Sequence, residues 1–136
     1  MAVFGKFYNA FLSIGGTDLS DHVKSVTINY SANMLDATVM GNATKINLAG
    51  LFDWSVNIEF LQEYGGTKVD DKLYPLIGGA AAELIIKPTN AAVGATNPSF
   101  TGTGVLASYN PASGAHGSLH TATATFQAAG TLVRAV

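Results

Sequence analysis

Alternating apolar and polar residues predict a long β-strand over residues 54–62. Four apolar side chains occupy every second position, namely Trp54, Val56, Ile58 and Phe60. A period of two places them on one buried face and their mostly polar neighbours on the other. Residues 24–32 show the same pattern, with Val26, Ile28 and Tyr30 on the apolar side. These two segments predict the centre of a β-sheet.

Weaker patterns predict further strands on both sides of this centre. They cover residues 7–14, 80–87, 99–109 and 119–127, and residues 132–136 are expected to add an edge. One helical turn is expected at residues 17–22 and a turn region at residues 110–117. Gly102 and Gly104 indicate a bulge or a close approach to the backbone. We predict a single domain over residues 1–136, mainly β, either a β-sandwich or a partly closed barrel with one short α-helix.

Residues 67–78 predict the helix. Thr67 can cap its first turn, and Asp70 follows at the capping-box spacing. Four apolar residues fall on one helical face: Val69, Leu73, Leu76 and Ile77. Pro75 should keep the helix short, and a Gly-Gly pair should end it. The predicted core joins the helix to the central strand and contains Trp54, Ile58, Phe60, Leu73 and Leu76.

Residues 33–49 form the least regular stretch of the chain. Apolar residues recur there without a sustained period: Met34, Leu35, Val39, Met40, Ile46 and Leu48. Connections of this length in compact domains are usually functional or disordered. The apolar content argues against simple disorder. We therefore predict a long functional connection, of which residues 36–40 have some strand character.

Composition suggests that other subunits cover much of the surface. Of 136 residues, 48% are apolar and only 12% are charged, whereas about a quarter is charged in a usual soluble domain. The alternative is a neutral monomer rich in Gly, Ala and Thr. The formal net charge of −2 indicates no basic patch for nucleic acid. We expect no secretion signal, because residues 1–6 lack a basic segment followed by an apolar one. We also expect no membrane span, because no apolar run approaches about 18 residues.

No group of residues predicts catalysis. Three candidate sets were weighed: His116 with His120, Asp70 with Asp71, and Asp21 with His22. Glycines around the two histidines disfavour the helix that a metal site at this spacing needs. Helix-dipole electrostatics explains the two aspartates, and no nucleophile turn accompanies the Asp-His pair. The chain also lacks Cys. We expect no catalytic residue, no metal and no cofactor, and hence no enzyme.

Three motifs stand out once these elements are placed. They are Leu51-x-x-Trp54-Ser55 followed by Glu59-Phe60, then Val69-Asp70-x-x-Leu73-x-Pro75-Leu76, and finally Asn97-Pro98-x-Phe100. Together with their order along the chain, they resemble the major tail tube proteins of long-tailed (siphovirus-type) bacteriophages. The resemblance covers most of the chain but not its first nineteen residues.

This resemblance implies a structural subunit of the virion tail. In that family six subunits form a ring, each gives two β-hairpins to a continuous inner barrel, and rings stack into a hollow tube. The tube holds the tape-measure protein and later conducts DNA, without binding either specifically. The implied partners are other copies of the chain, and tail terminator and distal tail proteins at the tube ends. No membrane is involved, and assembly takes place in the cytoplasm of the host bacterium.

Alternation and the resemblance together assign residues to two assembly surfaces. Ten residues are expected to face the lumen: Ser25, Thr27, Asn29, Ser31, Ser55, Asn57, Glu59, Thr121, Thr123 and Thr125. Six residues of the irregular stretch are expected to contact the next ring: Leu35, Asp36, Thr38, Val39, Met40 and Asn42. The lumen set has one acidic residue, Glu59, and no Lys or Arg. A mildly negative bore should not retain DNA, because it offers phosphates no cationic partner.

Two other classes of function stay open at this point. Another virion component of similar fold, such as a tail terminator or a head decoration protein, could carry the same motifs. A terminator should form single rings, whereas a tube subunit should polymerise. A carbohydrate-binding sandwich would need an exposed aromatic platform, but most aromatic residues here occupy alternating apolar positions.

Overall fold

The structure, a computed structural model, describes residues 10–136. Within them lie eight strands: β1 (Phe11–Ile14), β2 (Thr17–Asp18), β3 (Val23–Asp36), β4 (Asn47–Leu61), β5 (Ala82–Lys87), β6 (Ser99–Ser113), β7 (Thr121–Ala128) and β8 (Val133–Ala135). One α-helix, α1 (Val69–Leu73), follows β4, and 3-10 turns occupy Ser20–His22 and Tyr74–Leu76. The prediction of a mainly β fold with one short helix is confirmed.

The described strands belong to one antiparallel sheet. Its order is β2-β1-β5-β6-β7-β4-β3, and β8 pairs with the start of β6. Two hairpins, β3–β4 and β6–β7, join through the pairing of β4 with β7. We call the four strands β3, β4, β7 and β6 the hairpin sheet. The first half of β6 also pairs with β5, so β6 links the hairpin sheet to the other part of the sheet.

The core lies between the hairpin sheet, the strands β1 and β5, and α1. Apolar residues from all of these elements meet in one cluster. Trp54, Ile58, Phe60 and Leu73 each have at most 3% of their surface exposed. Leu76 packs against the same cluster and is half-buried. Burying a large apolar side chain stabilises a fold by about 1.5–3 kcal/mol, so this cluster holds the helix on the sheet.

Trp54 explains the two glycines of β6. Its indole Nε1 donates a hydrogen bond to the carbonyl of Gly130 at 2.8 Å, and its ring lies against the β6 backbone. A Cβ atom at residue 102 would lie 2.7 Å from that ring, and one at residue 104 would lie 3.2 Å from it. Residue 102 must therefore be glycine for the ring to fit, as the sequence pattern indicated for a close approach.

The helix is shorter than predicted and begins differently. Thr67 has a φ of +64°, which is incompatible with the extended backbone of an N-cap residue. Lys68 takes the N-cap position without a side-chain cap, while the Thr67 amide donates to Asp71 Oδ2 at 3.1 Å. The predicted capping box is therefore wrong. Ile77 is also 42% exposed, because the chain becomes extended after the 3-10 turn that contains Pro75.

Strands β3 and β4 occupy much of the stretch that was predicted as a long connection. They pair as far as Asp36 with Asn47, so only residues 37–46 link them. A bulge between Ala32 and Met34 breaks the alternation, which hides this end of the hairpin from sequence patterns. Similarly, β6 continues to Ser113 through part of the predicted turn at residues 110–117.

The start of the chain follows its prediction only in part. Residues 11–14 form β1, whereas residues 7–9 of the predicted first strand lie outside the described residues. The turn predicted at residues 17–22 divides into β2 and a 3-10 turn. Asp18 accepts hydrogen bonds from both the amide and the hydroxyl of Ser20. This carboxylate holds the chain in the tight reversal after β2.

Replacing Leu73 with Ala is predicted to destabilise the fold by about 2–5 kcal/mol, because it opens a cavity between α1 and the sheet. Chemical denaturation of the monomer measures this change. The matched control is Tyr74→Ala, since Tyr74 is the next residue and is 64% exposed. That control should shift stability by less than about 0.5 kcal/mol. Equal effects of the two substitutions would contradict the packing described here.

Candidate assembly surfaces

One face of the hairpin sheet is almost entirely polar. Cross-strand pairing aligns its residues in rows, such as Ser25–Glu59–Thr123–Asn110 and Thr27–Asn57–Thr125–Ser108. The ten residues expected in the lumen lie on β3, β4 and β7: Ser25, Thr27, Asn29, Ser31, Ser55, Asn57, Glu59, Thr121, Thr123 and Thr125. None of the ten is buried. The Thr125 hydroxyl donates to Asn57 Oδ1 at 2.9 Å, which ties two strands together across this polar face.

The polar face contains four further residues that the sequence pattern did not assign to it: Asp53, Ser108, Asn110 and Gln127. The β6 residues were missed because a register shift lies between Leu106 and Ser108. The shift lets Leu106 and Tyr109 face the core although they are three residues apart. A strict period of two cannot detect such a strand.

The charges on the polar face differ from the expectation that it has no cationic residue. Lys24 lies in a bulge at the start of β3, and its Nζ is 3.5 Å from Glu59 Oε1. Glu59 is therefore paired with a cation, whereas its place in a lumen stays a prediction. Asp53 lies opposite Ser31 on the same face, and no described residue forms an ion pair with it. Asp53 is thus the acidic group of this face that is not neutralised locally.

Both edges of the hairpin sheet lack a described partner. β3 ends the strand order, and nothing in residues 10–136 pairs with its outer side. β5 pairs with β6 only up to Gly104, and Ile77 forms a single bridge to Leu106. Beyond that bridge, residues 107–113 of β6 have no described neighbour on this side. Such edges expose rows of N–H and C=O groups that template pairing with another chain.

The far ends of β3 and β4 form a two-stranded arm, which we define as residues 32–52. There β4 pairs only with β3, because β7 reaches no further than Ser55. Large apolar side chains along the arm are exposed: Met34 56%, Leu35 51%, Val39 65%, Met40 106%, Leu48 56%, Leu51 85% and Phe52 69%. Contiguous apolar surface of this kind marks an interaction site.

Hydrogen bonds order the tip of the arm. The Ile46 amide donates to Thr38 Oγ1 at 2.8 Å, and the Thr38 amide donates to Asp36 Oδ1 at 3.0 Å. Side-chain and backbone hydrogen bonds from Thr38 lower the pKa of Asp36. The Asn42 amide closes the turn onto the Val39 carbonyl at 3.0 Å. Of the six residues expected at the neighbouring ring, Leu35 and Asp36 thus end β3, and Thr38, Val39, Met40 and Asn42 lie in this ordered turn.

Comparison with known proteins identifies the fold but no family. No protein-family model and no curated protein matches the chain. Among solved structures, a chain of "Virion of native gene transfer agent (GTA) particle" aligns with a TM-score of 0.74 at 13% identity, over 94% of this chain and 96% of that one. A chain of the "sheath/tube terminator in extended state" of the extracellular contractile injection system PVC aligns with a TM-score of 0.72 at 13% identity, over 95% and 94%. A chain of "Tail of empty GTA particle computed with helical refinement, C6 symmetry" gives 0.67 at 16%, over 85% and 83%.

This chain has a tail-tube-like fold. The alignments cover most of both chains in each of these three comparisons. At 13–16% identity they establish architecture alone. The fold predicted from the three sequence motifs is therefore supported independently of them.

In this tail-tube-like fold, a polar network fastens α1 to the free edge of β6. The Tyr109 hydroxyl donates to Asp70 Oδ1 at 2.8 Å, and Gln62 Nε2 donates to the same hydroxyl at 2.9 Å. Gln62 and Tyr64 both donate to the carbonyl of Pro111 at 2.7 Å. Proline cannot donate from its backbone nitrogen and is tolerated only at a strand edge. The network thus holds the unpaired half of β6 in place.

The residues considered for chemistry are scattered. His116 and His120 are exposed, and His22 Nε2 lies 3.2 Å from Glu63 Oε1 rather than beside a serine. Asp70 accepts from Tyr109, whereas Asp71 accepts from the Thr67 amide. In the described part of the chain, no three His, Cys, Asp or Glu side chains cluster as a metal site would require. No helix among residues 10–136 is long and apolar enough to cross a membrane.

The network predicts a pH dependence at alkaline pH. The pKa of Tyr109 is raised to about 12, chiefly by burial and also by Asp70, against the lowering effect of the hydrogen bond from Gln62. The neutral phenol is favoured in the fold, so its stabilising effect is complete below the ordinary tyrosine pKa of about 10. The effect is lost as pH rises through about 12.

Tyr109→Phe should remove this component of the alkaline loss of stability. The difference in unfolding free energy between wild type and Tyr109→Phe, measured by denaturation at a series of pH values, should shrink across that window. Tyr74→Phe is the control, because Tyr74 is exposed. A pH profile of Tyr109→Phe that parallels the wild type would refute the assignment.

Proposed function

We propose that this chain is a structural tail subunit that closes into rings, and that stacked rings form a hollow tail tube. The observation that carries the proposal is the pair of free edges on the hairpin sheet, β3 on one side and residues 107–113 of β6 on the other. Each edge needs a partner strand, and a second copy supplies one for each. The likeness to chains of a virion, a tail and a sheath/tube terminator supports this choice.

The directions of the two edge strands allow copies to join into a ring. Every neighbouring pair in the hairpin sheet is antiparallel, so β3 and β6 at its two edges run in opposite directions. Joining β3 of one copy to β6 of the next therefore continues an antiparallel sheet without interruption. This contact is head-to-tail, and such contacts close into a ring when the rotation between copies allows it.

The number of copies in the ring sets the diameter of the bore. One similar structure has C6 symmetry, and six copies of four strands would build a barrel of 24 strands. With strands about 4.8 Å apart and tilted by about 40°, its backbone diameter is about 48 Å. Side chains take up about 5 Å on each side, which leaves an opening of roughly 38 Å. The polar face of the hairpin sheet would line this opening, since the opposite face is packed in the core.

The arm supplies the contact between rings in this proposal. It is the part of the described chain in which large apolar side chains are exposed in succession. Residues Leu35, Val39 and Met40 would be covered by the adjacent ring, while Asp36, Thr38 and Asn42 keep the tip in shape. Burial of this surface favours stacking because apolar area leaves water.

The proposed role is mechanical rather than catalytic. The bore would hold a tape-measure protein during assembly in the host cytoplasm and let DNA pass during ejection. Its hydroxyl and amide groups, with Lys24 neutralising Glu59, give phosphates few fixed cations to bind. Terminator and distal tail proteins would close the two ends of the tube in the virion.

A tail terminator is the second candidate, favoured by the alignment with a chain of a sheath/tube terminator structure. A terminator must stop growth, so it would present its stacking surface to the tube on one side only. The two readings therefore differ in the product that purified protein forms. Tubes indicate a tube subunit, and isolated rings indicate a terminator.

Electron microscopy of purified protein, with a matched pair of variants, tests the tube proposal. The wild type is expected to form long hollow tubes. The double variant Val39→Asp with Met40→Asp should stay folded, because both side chains are exposed, yet should yield rings or monomers, because charge in the ring contact must be desolvated. The control Thr123→Asp with Gln127→Asp adds the same charge at two exposed positions of β7 on the polar face and should still form tubes. Normal tubes from the arm variant would show that the arm does not join rings.

The lumen assignment predicts which charge reversal traps DNA. Asp53→Lys would place a cation on the polar face of every copy, so assembled tubes should retain short DNA duplexes in a salt-dependent manner. Retained DNA should be protected from nuclease because it lies inside the tube. Glu83→Lys is the control, since Glu83 is exposed on β5, away from the polar face. Any DNA that this control binds should be digested, and digestion of the DNA on Asp53→Lys tubes would place Asp53 outside the bore.

A further inference from the structure

An apolar groove runs along the free edge of β3 and onto the face opposite the polar face. Its main part has a volume of 450 Å³ and is lined by Val26, Thr27, Ile28, Tyr30, Phe100 and Leu132. Two hollows of 300 and 200 Å³ continue it past Tyr30 toward Phe52 and Ala32. Tyr30 is 56% exposed although strand alternation turns it away from the polar side. The groove adjoins the free edge of β3, so whatever pairs with that edge also meets the groove.

A matching apolar projection lies at the opposite edge of the same sheet. The 3-10 turn Tyr74–Leu76 ends beside β6, and Ile77 forms a bridge to Leu106. Ile77 is 42% exposed and Tyr74 is 64% exposed. Gly78, with a φ of +66°, turns the chain away directly afterwards. The side chain of Ile77 therefore ends the β6 edge as a short apolar knob.

Pairing across the sheet aligns the knob with the groove. A continuous row of partners crosses the hairpin sheet from Leu106 through Phe126 and Val56 to Ile28. Ile77 extends this row at the β6 end, and the groove lies at its β3 end. When copies join edge to edge, the β6 end of one row faces the β3 of the next copy.

We propose that Ile77, together with Tyr74, inserts into the β3 groove of the neighbouring copy and so sets how copies join around the ring. This proposal rests on the proposed function, because it requires β3 to pair with β6 of a second copy. Strand tilt of about 40° shifts the neighbour by about five residues along β3 over the width of four strands. Measured from Ile28, a shift of this size toward the arm reaches Asn33, directly beyond Ala32, so the knob would meet that end of the groove.

A second copy fits the groove better than an unrelated partner. The groove and the knob are both apolar. The groove lies at the β3 edge and the knob at the β6 edge, which are the two edges that a ring would join. Val26, Ile28 and Leu132 are only half-buried, although they pack against the core. Contact with Ile77 would complete their burial and cover the knob at the same time.

Disulfide cross-linking tests the contact cleanly, because the chain has no cysteine of its own. Ile77→Cys is combined in turn with Ile28→Cys, Tyr30→Cys and Ala32→Cys, and protein assembled under oxidising conditions is separated on a denaturing gel. At least one pair should give a ladder of linked chains, up to six as in the C6 neighbour. The control pair Ile77→Cys with Asn29→Cys should give none, because Asn29 lies on the polar face.

A second variant tests, without cross-linking, how strongly the side chain of Ile77 favours assembly. Ile77→Asp should leave the melting temperature of the monomer unchanged, and should raise the protein concentration needed for assembly about tenfold or more. Assembly of this variant at wild-type concentration would overturn the proposal.

The outcomes separate this inference from the proposed function. Rings or tubes that form without any cross-link to the three β3 positions would refute the knob-in-groove contact and leave the tube intact. A link inside one chain between Phe4→Cys and Ile28→Cys would assign the groove to the first nine residues and also refute it. Wild-type protein that forms neither rings nor tubes would instead refute the proposed function itself.

Discussion

The backbone hydrogen bonds at the two edges of the hairpin sheet are the constraint on which the rest of the structure depends. A free edge attracts other strands, and proteins usually shorten, bulge or cover it. Here β3 runs for 14 residues with no described neighbour on one side, and Pro111 is the main interruption in the free half of β6. Such a chain is suited to a closed assembly, in which every edge is paired. The low share of charged residues, 12%, fits a surface that other copies cover.

The two faces of the sheet then acquire separate tasks. One face packs Trp54, Phe60 and Phe126 into the core with at most 3% exposure, so it cannot face a bore. The other carries short hydroxyl and amide side chains, with Lys24 beside Glu59 and Asp53 left without a described ion pair. The arm adds a third, apolar surface beyond the body. In the proposed tube, the edge, bore and stacking surfaces would thus come from different parts of two hairpins.

Local sequence patterns revealed the fold class and the centre of the sheet but not its extremities. Residues 54–61 were predictable because β4 itself carries no extra residue there: the bulge opposite Glu59 and Phe60 adds Lys24 to β3 and leaves the alternation of β4 intact. The extent of the arm and of β6 could not be predicted, because bulges near Ala32 and Ala107 shift the alternation of apolar and polar residues. The strands that pair with these segments are also distant in sequence. The prediction of an N-cap at Thr67 was wrong because the backbone of Thr67 is left-handed. Asn97, singled out only by resemblance, is buried and bonds to Thr89, Ala91 and Ala92, which fixes the loop before β6.

Amide hydrogen exchange of monomeric and assembled protein tests the central claim most directly, because it reports backbone hydrogen bonds at single residues. Ring closure through the free edges predicts that amides of β3 that point away from β4, and amides of residues 107–113 that point away from β7, exchange rapidly in the monomer. In the assembled form these same amides should become strongly protected, while those in the core stay protected in both states. Assembled protein in which both edges still exchange as fast as in the monomer would contradict edge-to-edge pairing.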